Sequence, residues 1–215
     1  MKTVLWDWNG TLLDDVWTGT AAMNALLEKY KQPLLRDTAH YREVFCFPIS
    51  EYYDKLGVGG DLFPITSHEW MAQYNALESR CLLREGAMDA LRAFRAEGWR
   101  QAVLSASKLD NLLRQMQRYD VLPFFDAVLG LDHIYATSKV EIGRAWLRAQ
   151  QIDPAECVMI GDTLHDAEVA RALGCRCILA SGGHQSDAVL RTAGCEVAEG
   201  VLEAARRAMG GTVLS

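Results

Sequence analysis

From residue 88 onward, short apolar runs alternate with stretches of helical periodicity. This alternation constrains the fold more than any other feature of the 215-residue chain. Met88, Leu91 and Phe94 fall at helical spacing, in a stretch that ends near Gly98. Ala102-Val103-Leu104 then reads as a strand, Asn111 to Tyr119 as a helix and Ala127-Val128-Leu129 as a strand. Ile142, Ala145, Trp146 and Ala149 share one helical face, and Val158-Met159-Ile160 is the next strand. A helix that stops at Gly174, the strand Cys177-Ile178-Leu179 and a helix over 201–209 complete the pattern. Val4-Leu5-Trp6 supplies one more strand at the N-terminus. Strands separated by helices join as parallel βαβ units, giving a sheet covered on both faces. The expected fold is therefore α/β, a three-layer sandwich around a parallel sheet.

Between the first strand and this array lies a different texture. Met23, Leu26, Leu27 and Tyr30 mark one helix, and Trp70, Tyr74, Leu77 and Cys81 another, behind a possible Ser67 N-cap. Pro33, Pro48, Gly57, Gly59, Gly60 and Pro64 interrupt the periodicity between them. Residues 14–85 are thus expected to form a small, mostly helical insertion, with 1–13 and 86–215 making the core.

Half the residues are hydrophobic and 23% are charged, enough apolar content to bury a core of this size. The net charge of −6 argues against non-specific nucleic-acid binding. It leaves room for a locally positive site that takes an anion. Six cysteines without a C-x-x-C pair read as reduced, buried thiols. With no window long enough to cross a membrane and no signal-peptide pattern, the expected location is the cytoplasm.

In open parallel sheets, ligands bind beyond the carboxyl ends of the strands. Asp7, Ser105 and Asp162 each stand at such a place, and Asp166 follows four residues after Asp162. Carboxylates with an open side suit Mg²⁺, which keeps waters and takes a phosphate oxygen. A hydroxyl and a lysine suit the remaining phosphoryl oxygens, and an aspartate can attack phosphorus. Ser138-Lys139-Val140-Glu141 reads as a capping box with Ser138 at the N-cap, which puts Lys139 at the first helical position. A cation there opposes the helix dipole at a cost of about 0.3–1 kcal/mol, so Lys139 is either a functional exception or a solvated surface lysine. Asp166, in a first helical turn, would stabilise its helix whatever else it does. Trp8 and His184 read as packing or pocket residues, and Asp14 and Asp15 as part of the turn into the insertion.

Taken together, these residues carry a family resemblance. Asp7-Trp8-Asn9-Gly10-Thr11-Leu12 resembles the first motif of the haloacid-dehalogenase-like hydrolases. Leu104-Ser105 is similar to the second, Lys139 to the third, and Gly161-Asp162-Thr163-Leu164-His165-Asp166 to the fourth. The resemblance implies a Rossmann-like core with an α-helical cap over 14–85. Phe47-Pro48-Ile49-Ser50-Glu51-Tyr52-Tyr53 loosely resembles caps of the phosphoglycolate-phosphatase-like branch. It also implies a Mg²⁺-dependent phosphatase acting on a small phosphate monoester, with Asp7 as nucleophile. Asp7, the Asn9 carbonyl, Asp162 and Asp166 would hold the metal. Ser105, Lys139 and the amides of Gly10 and Ala106 would hold the phosphoryl group. The implied partner is a small phosphorylated substrate, with neither nucleic acid nor membrane. Monomer and homodimer stay open.

One position departs from the pattern. Phosphatases of this family usually carry a second aspartate where this chain has Asn9, and an amide cannot act as a general acid or base. A slow phosphatase, or one with a good leaving group, fits this. So does a phosphonate-cleaving or dehalogenase-type relative, and so does a binding module with little turnover. Phosphonate cleavage of this kind needs a cap lysine, for which Lys29, Lys31 and Lys55 stand in the right region. The paired Asp162 and Asp166 argue for phosphoryl chemistry over dehalogenation.

Overall fold

The computed structural model describes residues 1–135 and 138–211. Residues 136–137 and 212–215 of the expected core lie outside them. The strands are β1 (Thr3–Trp6), β2 (Leu13–Asp14), β3 (Leu82–Leu83), β4 (Arg100–Lys108), β5 (Ala127–Leu131), β6 (Cys157–Gly161), β7 (Arg176–Ala180) and β8 (Glu196–Ala198). The helices are α1 (Val16–Lys29), α2 (Thr38–Val44), α3 (Ile49–Lys55), α4 (Phe63–Leu77), α5 (Ala87–Ala96), α6 (Leu109–Arg118), α7 (Val140–Ala149), α8 (Leu164–Leu173), α9 (Asp187–Leu190) and α10 (Val201–Ala208).

Six strands form one parallel sheet in the order β5-β4-β1-β6-β7-β8. The period-2 alternation of strand side chains decides which layer each residue joins. Val4 and Trp6 of β1, Val103 of β4 and Val158 and Ile160 of β6 pack on one face, against Leu91 and Phe94 of α5, Leu112 of α6 and Ala204 of α10. Leu5, Ala102, Leu104, Cys157 and Met159 point to the other face, under Leu147 of α7 and Val169 of α8. Each large side chain buried this way contributes roughly 1.5–3 kcal/mol. The result is the three-layer α/β sandwich that the strand–helix alternation implies.

Helices α1 to α4 share a separate apolar cluster built on Met23, Leu26, Leu27, Tyr41, Tyr52 and Tyr53. The antiparallel pair β2–β3 ties the chain as it leaves the sheet region at Leu13–Asp14 to the chain as it returns at Leu82–Leu83.

Several local expectations need correction. Helix α4 starts at Phe63, with Pro64 in its first turn, where a missing N–H costs nothing; Ser67 is an interior residue bonded to the Pro64 carbonyl. Lys139 is the N-cap of α7, not its first residue, and the capping box is absent. The Ser138 hydroxyl accepts from Val140 N–H, while Glu141 turns to Arg144. The buried stripe of α7 runs through Gly143 and Leu147, with Ala145 and Ala149 exposed. A Cβ at Gly143 would press on Leu104 and Leu173, so this glycine sets how closely α7 lies on the sheet. Only Cys81 and Cys157 of the six free thiols are buried; the other four are half-buried.

Candidate active site

The site gathers at the carboxyl edge of the three central strands. Asp7 directly follows β1, and its N–H donates to the Ile160 carbonyl of β6, which holds the residue at the sheet edge. Asp162 directly follows β6 and is fully buried. One carboxylate oxygen from each of Asp7, Asp162 and Asp166 lies within 4.8 Å of the others. Burial and mutual repulsion both disfavour such a cluster, so something must compensate.

Lys139 does so in part. It is 1% exposed, which removes the surface-lysine alternative. Its Nζ donates to Asp7 Oδ1 at 2.5 Å and lies 2.8 Å from Asp166 Oδ1. Burial works against its charge, but Asp166 and Asp7 outweigh it and hold the ammonium above its usual pKa. Asp166 is drawn down by the same pairing, against its own burial. Asp7 is pushed up to about 8: burial dominates, Lys139 pulls down, and Asp166 and Asp162 push up again. Asp162 is likewise raised, chiefly by burial. One ammonium therefore does not neutralise three carboxylates.

Asp166 serves two purposes with different oxygens. Its Oδ2 accepts from the backbone N–H groups of Asp162 and Thr163 and from the Thr163 hydroxyl, the capping box of α8. Its Oδ1 faces Lys139. Asp162 is fixed by Thr11 Oγ1 on Oδ1 at 2.8 Å and by the His184 N–H on Oδ2 at 2.6 Å. A Cβ at Gly10 or Gly183 would collide with this carboxylate, so both positions need glycine.

Ser105 lies inside β4 and not beyond its end, because the strand continues to Lys108 after a register shift past Leu104. It is buried on the cavity wall beside Ala106, and its hydroxyl accepts from Ser107 N–H. The Gly10 N–H, expected to meet a phosphoryl group, donates instead to Asp15 Oδ1 at 2.8 Å and to the Leu13 carbonyl. Trp8 is fully buried in the sheet core and donates to Gln115, a packing residue.

A second polar network adjoins the first, and sequence reasoning missed its centre. Asp15 sits at the N-cap of α1, yet its side chain does not cap the helix. It accepts from Gly10 N–H, from Asn9 Nδ2 at 2.8 Å and from the Tyr74 hydroxyl at 2.7 Å, and it faces His184 Nε2 at 3.1 Å. Burial opposes charge on His184, but Asp15 and then Asp162 and Asp7 overcome it, so its pKa rises to about 9. Asp15 is held below its usual value despite burial, chiefly by His184. The Asn9 amide is fully engaged: Nδ2 also reaches Tyr74 at 3.2 Å, and Oδ1 accepts from Ser107 at 2.7 Å. An acidic residue just before an apolar helix gives no local sign of these partners. The departure from capping becomes visible only in three dimensions.

Above the carboxylates lies a cavity of about 150 Å³. Its walls combine Asp7, Asn9, Ser105 and Lys139 from the sheet edge with aromatic residues of α2 to α4 and their links. The loop after β7 closes one side. Arg42 donates to the Gly182 and Gly183 carbonyls, the Tyr41 hydroxyl meets His184 Nδ1 at 2.7 Å, and Gln185 donates to the Phe45 carbonyl. Lys29, Lys31 and Lys55 do not line this cavity; Lys29 pairs with Glu69 at the surface, and Lys55 donates to the Cys46 thiol.

The family model for haloacid dehalogenase-like hydrolases matches residues 1–174, and the chain belongs to that family. The pyrophosphatase PpaX of Listeria monocytogenes is 28% identical over 105 residues, 46% of this chain and 47% of its own length. The chain thus aligns with about half the length of such curated relatives. A probable phosphatase, IndB of Dickeya dadantii, is 23% identical over 86% of this chain and 83% of its own. Among solved structures, a haloacid dehalogenase-like hydrolase from Streptococcus pneumoniae superposes with a TM-score of 0.81 at 18% identity. That match covers 94% of this chain and 96% of the other, and it speaks for the fold. Among the described residues, no helix is long and apolar enough to cross a membrane.

Proposed function

We propose that the chain is a Mg²⁺-dependent phosphatase of a small phosphorylated substrate, with Asp7 as the nucleophile. The observation that supports this best is Asp7 itself. Its Oδ1 is held by Lys139 at 2.5 Å within a buried triad of carboxylates, on the wall of the cavity. The donor set fits a hard divalent cation: three carboxylate oxygens close enough to share one ion, and more negative charge than Lys139 balances. Asp7, Asp162 and Asp166 would hold it, with the Asn9 carbonyl. Bound there, the ion would draw charge from the phosphoryl oxygens.

The chain's own groups do the rest. Asp7 attacks phosphorus and an aspartyl-phosphate forms; water then cleaves it. Lys139 fixes the attacking carboxylate and, with Ser105 and the Ala106 amide, offers donors to the phosphoryl oxygens. With Gly10 N–H committed to Asp15, the Gly10 amide enters this cradle only if that bond breaks. Residues 14–85 act as the cap, excluding water while the reaction proceeds. The names of PpaX and IndB favour phosphate chemistry over dehalogenation. The absence of Lys29, Lys31 and Lys55 from the cavity wall disfavours Schiff-base phosphonate cleavage. The free thiols accord with a cytoplasmic protein.

The test is release of inorganic phosphate from a panel of monoesters with and without Mg²⁺. Metal-dependent turnover by the wild type, lost in Asp7→Asn, is expected. Turnover of a haloacid, or of no ester at all, would contradict the assignment.

A further inference from the structure

We propose that the substrate's leaving group is an aryl oxide, a phenol-type oxygen on a single ring with no further charged group, and not a second phosphate or a carboxylate-bearing fragment. This rests on the phosphatase reading and narrows it to a substrate class.

Three features combine: the wall and the charge favour a neutral ring over a second anionic group, and the leaving oxygen disfavours an alkyl ester. The first is the wall. Phe45, Phe47, Tyr52, Trp70, Met71 and Tyr74 all face the cavity. Their rings pack on one another: Phe45 against Tyr52 with centroids 5.2 Å apart, and Trp70 stacked on Tyr74 at 5.0 Å. Such a surface takes a flat apolar ring, edge-on or face-on.

The second is charge. The charge of Lys139 stands between Asp7 and Asp166 at the phosphoryl end of the cavity, and that of His184 faces Asp15. Lys108, the other lining lysine, has its side chain 38% exposed and lies 3.4 Å from Asp110. A second anionic group entering the aromatic part of the cavity would be buried without a partner, which is costly. Among the described residues, the Tyr52 hydroxyl and His165 Nε2 are buried and unpaired. Both residues line the cavity, but neither atom is open to it, so they supply no counter-charge to an anion.

The third is the leaving oxygen. Every polar atom of the Asn9 side chain is engaged, and an amide has no proton to give. An alkoxide, like hydroxide, is the base of a very weak acid and needs a proton to depart. A phenol ionises at about 10, as tyrosine does, and can leave as the anion. The steps balance without an acid. A bond forms from Asp7 Oδ to phosphorus as the phosphorus–aryl oxygen bond breaks. The electron pair stays on the aryl oxygen, which takes a proton from water. A second water then hydrolyses the acyl-phosphate, releasing phosphate and a proton to solvent and restoring the carboxylate.

The experiment compares phenyl phosphate, ethyl phosphate, phosphoglycolate and pyrophosphate in two ways. Wild-type kcat/KM is measured with Mg²⁺, and binding of the same four to Asp7→Asn is measured by calorimetry. Asn is close in shape to Asp and removes charge from a crowded cluster, so this variant should fold. The expected kcat/KM for phenyl phosphate exceeds that for ethyl phosphate by about 10²-fold or more. Phenyl phosphate should also bind Asp7→Asn at least about tenfold more tightly than phosphoglycolate or pyrophosphate, which carry a second anionic group. Trp70→Ala should shrink the phenyl-over-ethyl ratio several-fold. Equal or tighter binding of phosphoglycolate or pyrophosphate, or equal turnover of ethyl phosphate, overturns the proposal while leaving the phosphatase reading standing. If no ester is turned over but phenyl phosphate still binds best, the phosphatase reading fails and the ring-selective cavity is upheld.

Discussion

Replacing Lys139 by methionine separates a structural ammonium from a functional one. Lys139 is 1% exposed and stands 2.5 Å from Asp7 and 2.8 Å from Asp166. Removing one partner from a buried ion pair typically costs about 3–5 kcal/mol, because the remaining charge is left uncompensated. Here the lower end applies. Burial already pushes the pKa of Asp7 up, and losing Lys139 pushes it further, so Asp7 can take a proton and relieve part of the repulsion. A loss of about 3 kcal/mol lowers the Tm of a chain this size by roughly 6–12 °C. The assay is thermal unfolding in chelator and again in millimolar Mg²⁺. Methionine preserves the packing of the stem, so the loss reports charge. If the triad is a metal site, the cation should recover most of this loss in Lys139→Met. A Tm within about 2 °C of wild type in chelator would refute the electrostatic argument, and no recovery in Mg²⁺ would refute the metal site.

Asn9→Asp should not simply restore an acid. It turns a donor 2.8 Å from Asp15 Oδ2 into a second carboxylate, so thermal unfolding should show a loss of about 1–3 kcal/mol, recovered in Asn9→Asp/Asp15→Asn. The pH dependence of metal-free stability should carry the mark of His184, whose pKa is raised from 6.5 to about 9. A raised pKa means that the folded state holds the proton more tightly. The stabilisation, on the order of 3 kcal/mol, is therefore complete below pH 6.5 and lost as the pH climbs through about 9. The stability difference between wild type and His184→Gln should accordingly shrink from pH 6 to pH 9.5 in denaturant titrations, and a constant difference would exclude the Asp15–His184 pair as its source.

What the sequence made legible was what depends on periodicity and on chain order. Asp7 and Asp162 follow apolar runs that the sheet needs at its centre, so the rule for parallel sheets located them. Ser105 was placed at the correct edge but outside its strand, because the register shift in β4 depends on pairing with β5. Strands β2, β3 and β8 are two or three residues long, too short for any periodic signal. On α7, Ala145 and Ala149 share an apolar face by composition, yet Gly143 decides the buried stripe because its missing Cβ lets Leu104 approach. Asp15 was hidden for a different reason. Its partners Tyr74 and His184 lie 59 and 169 residues away, and nothing near it in the chain distinguishes it from a turn residue. Lys139 lay between these cases. The breach of helix-dipole preference was visible, and its burial between two carboxylates was not.

The central claim is that Asp7 is the residue that takes the phosphoryl group. Rapid acid quench during turnover of a ³²P-labelled aryl phosphate, followed by borohydride reduction and peptide mass spectrometry, tests it directly. The expected result is an acid-stable, Mg²⁺-dependent label that maps to residue 7, converts it to homoserine on reduction and is absent in Asp7→Asn. Turnover with the label on another residue, or undiminished turnover in Asp7→Asn, would contradict the account.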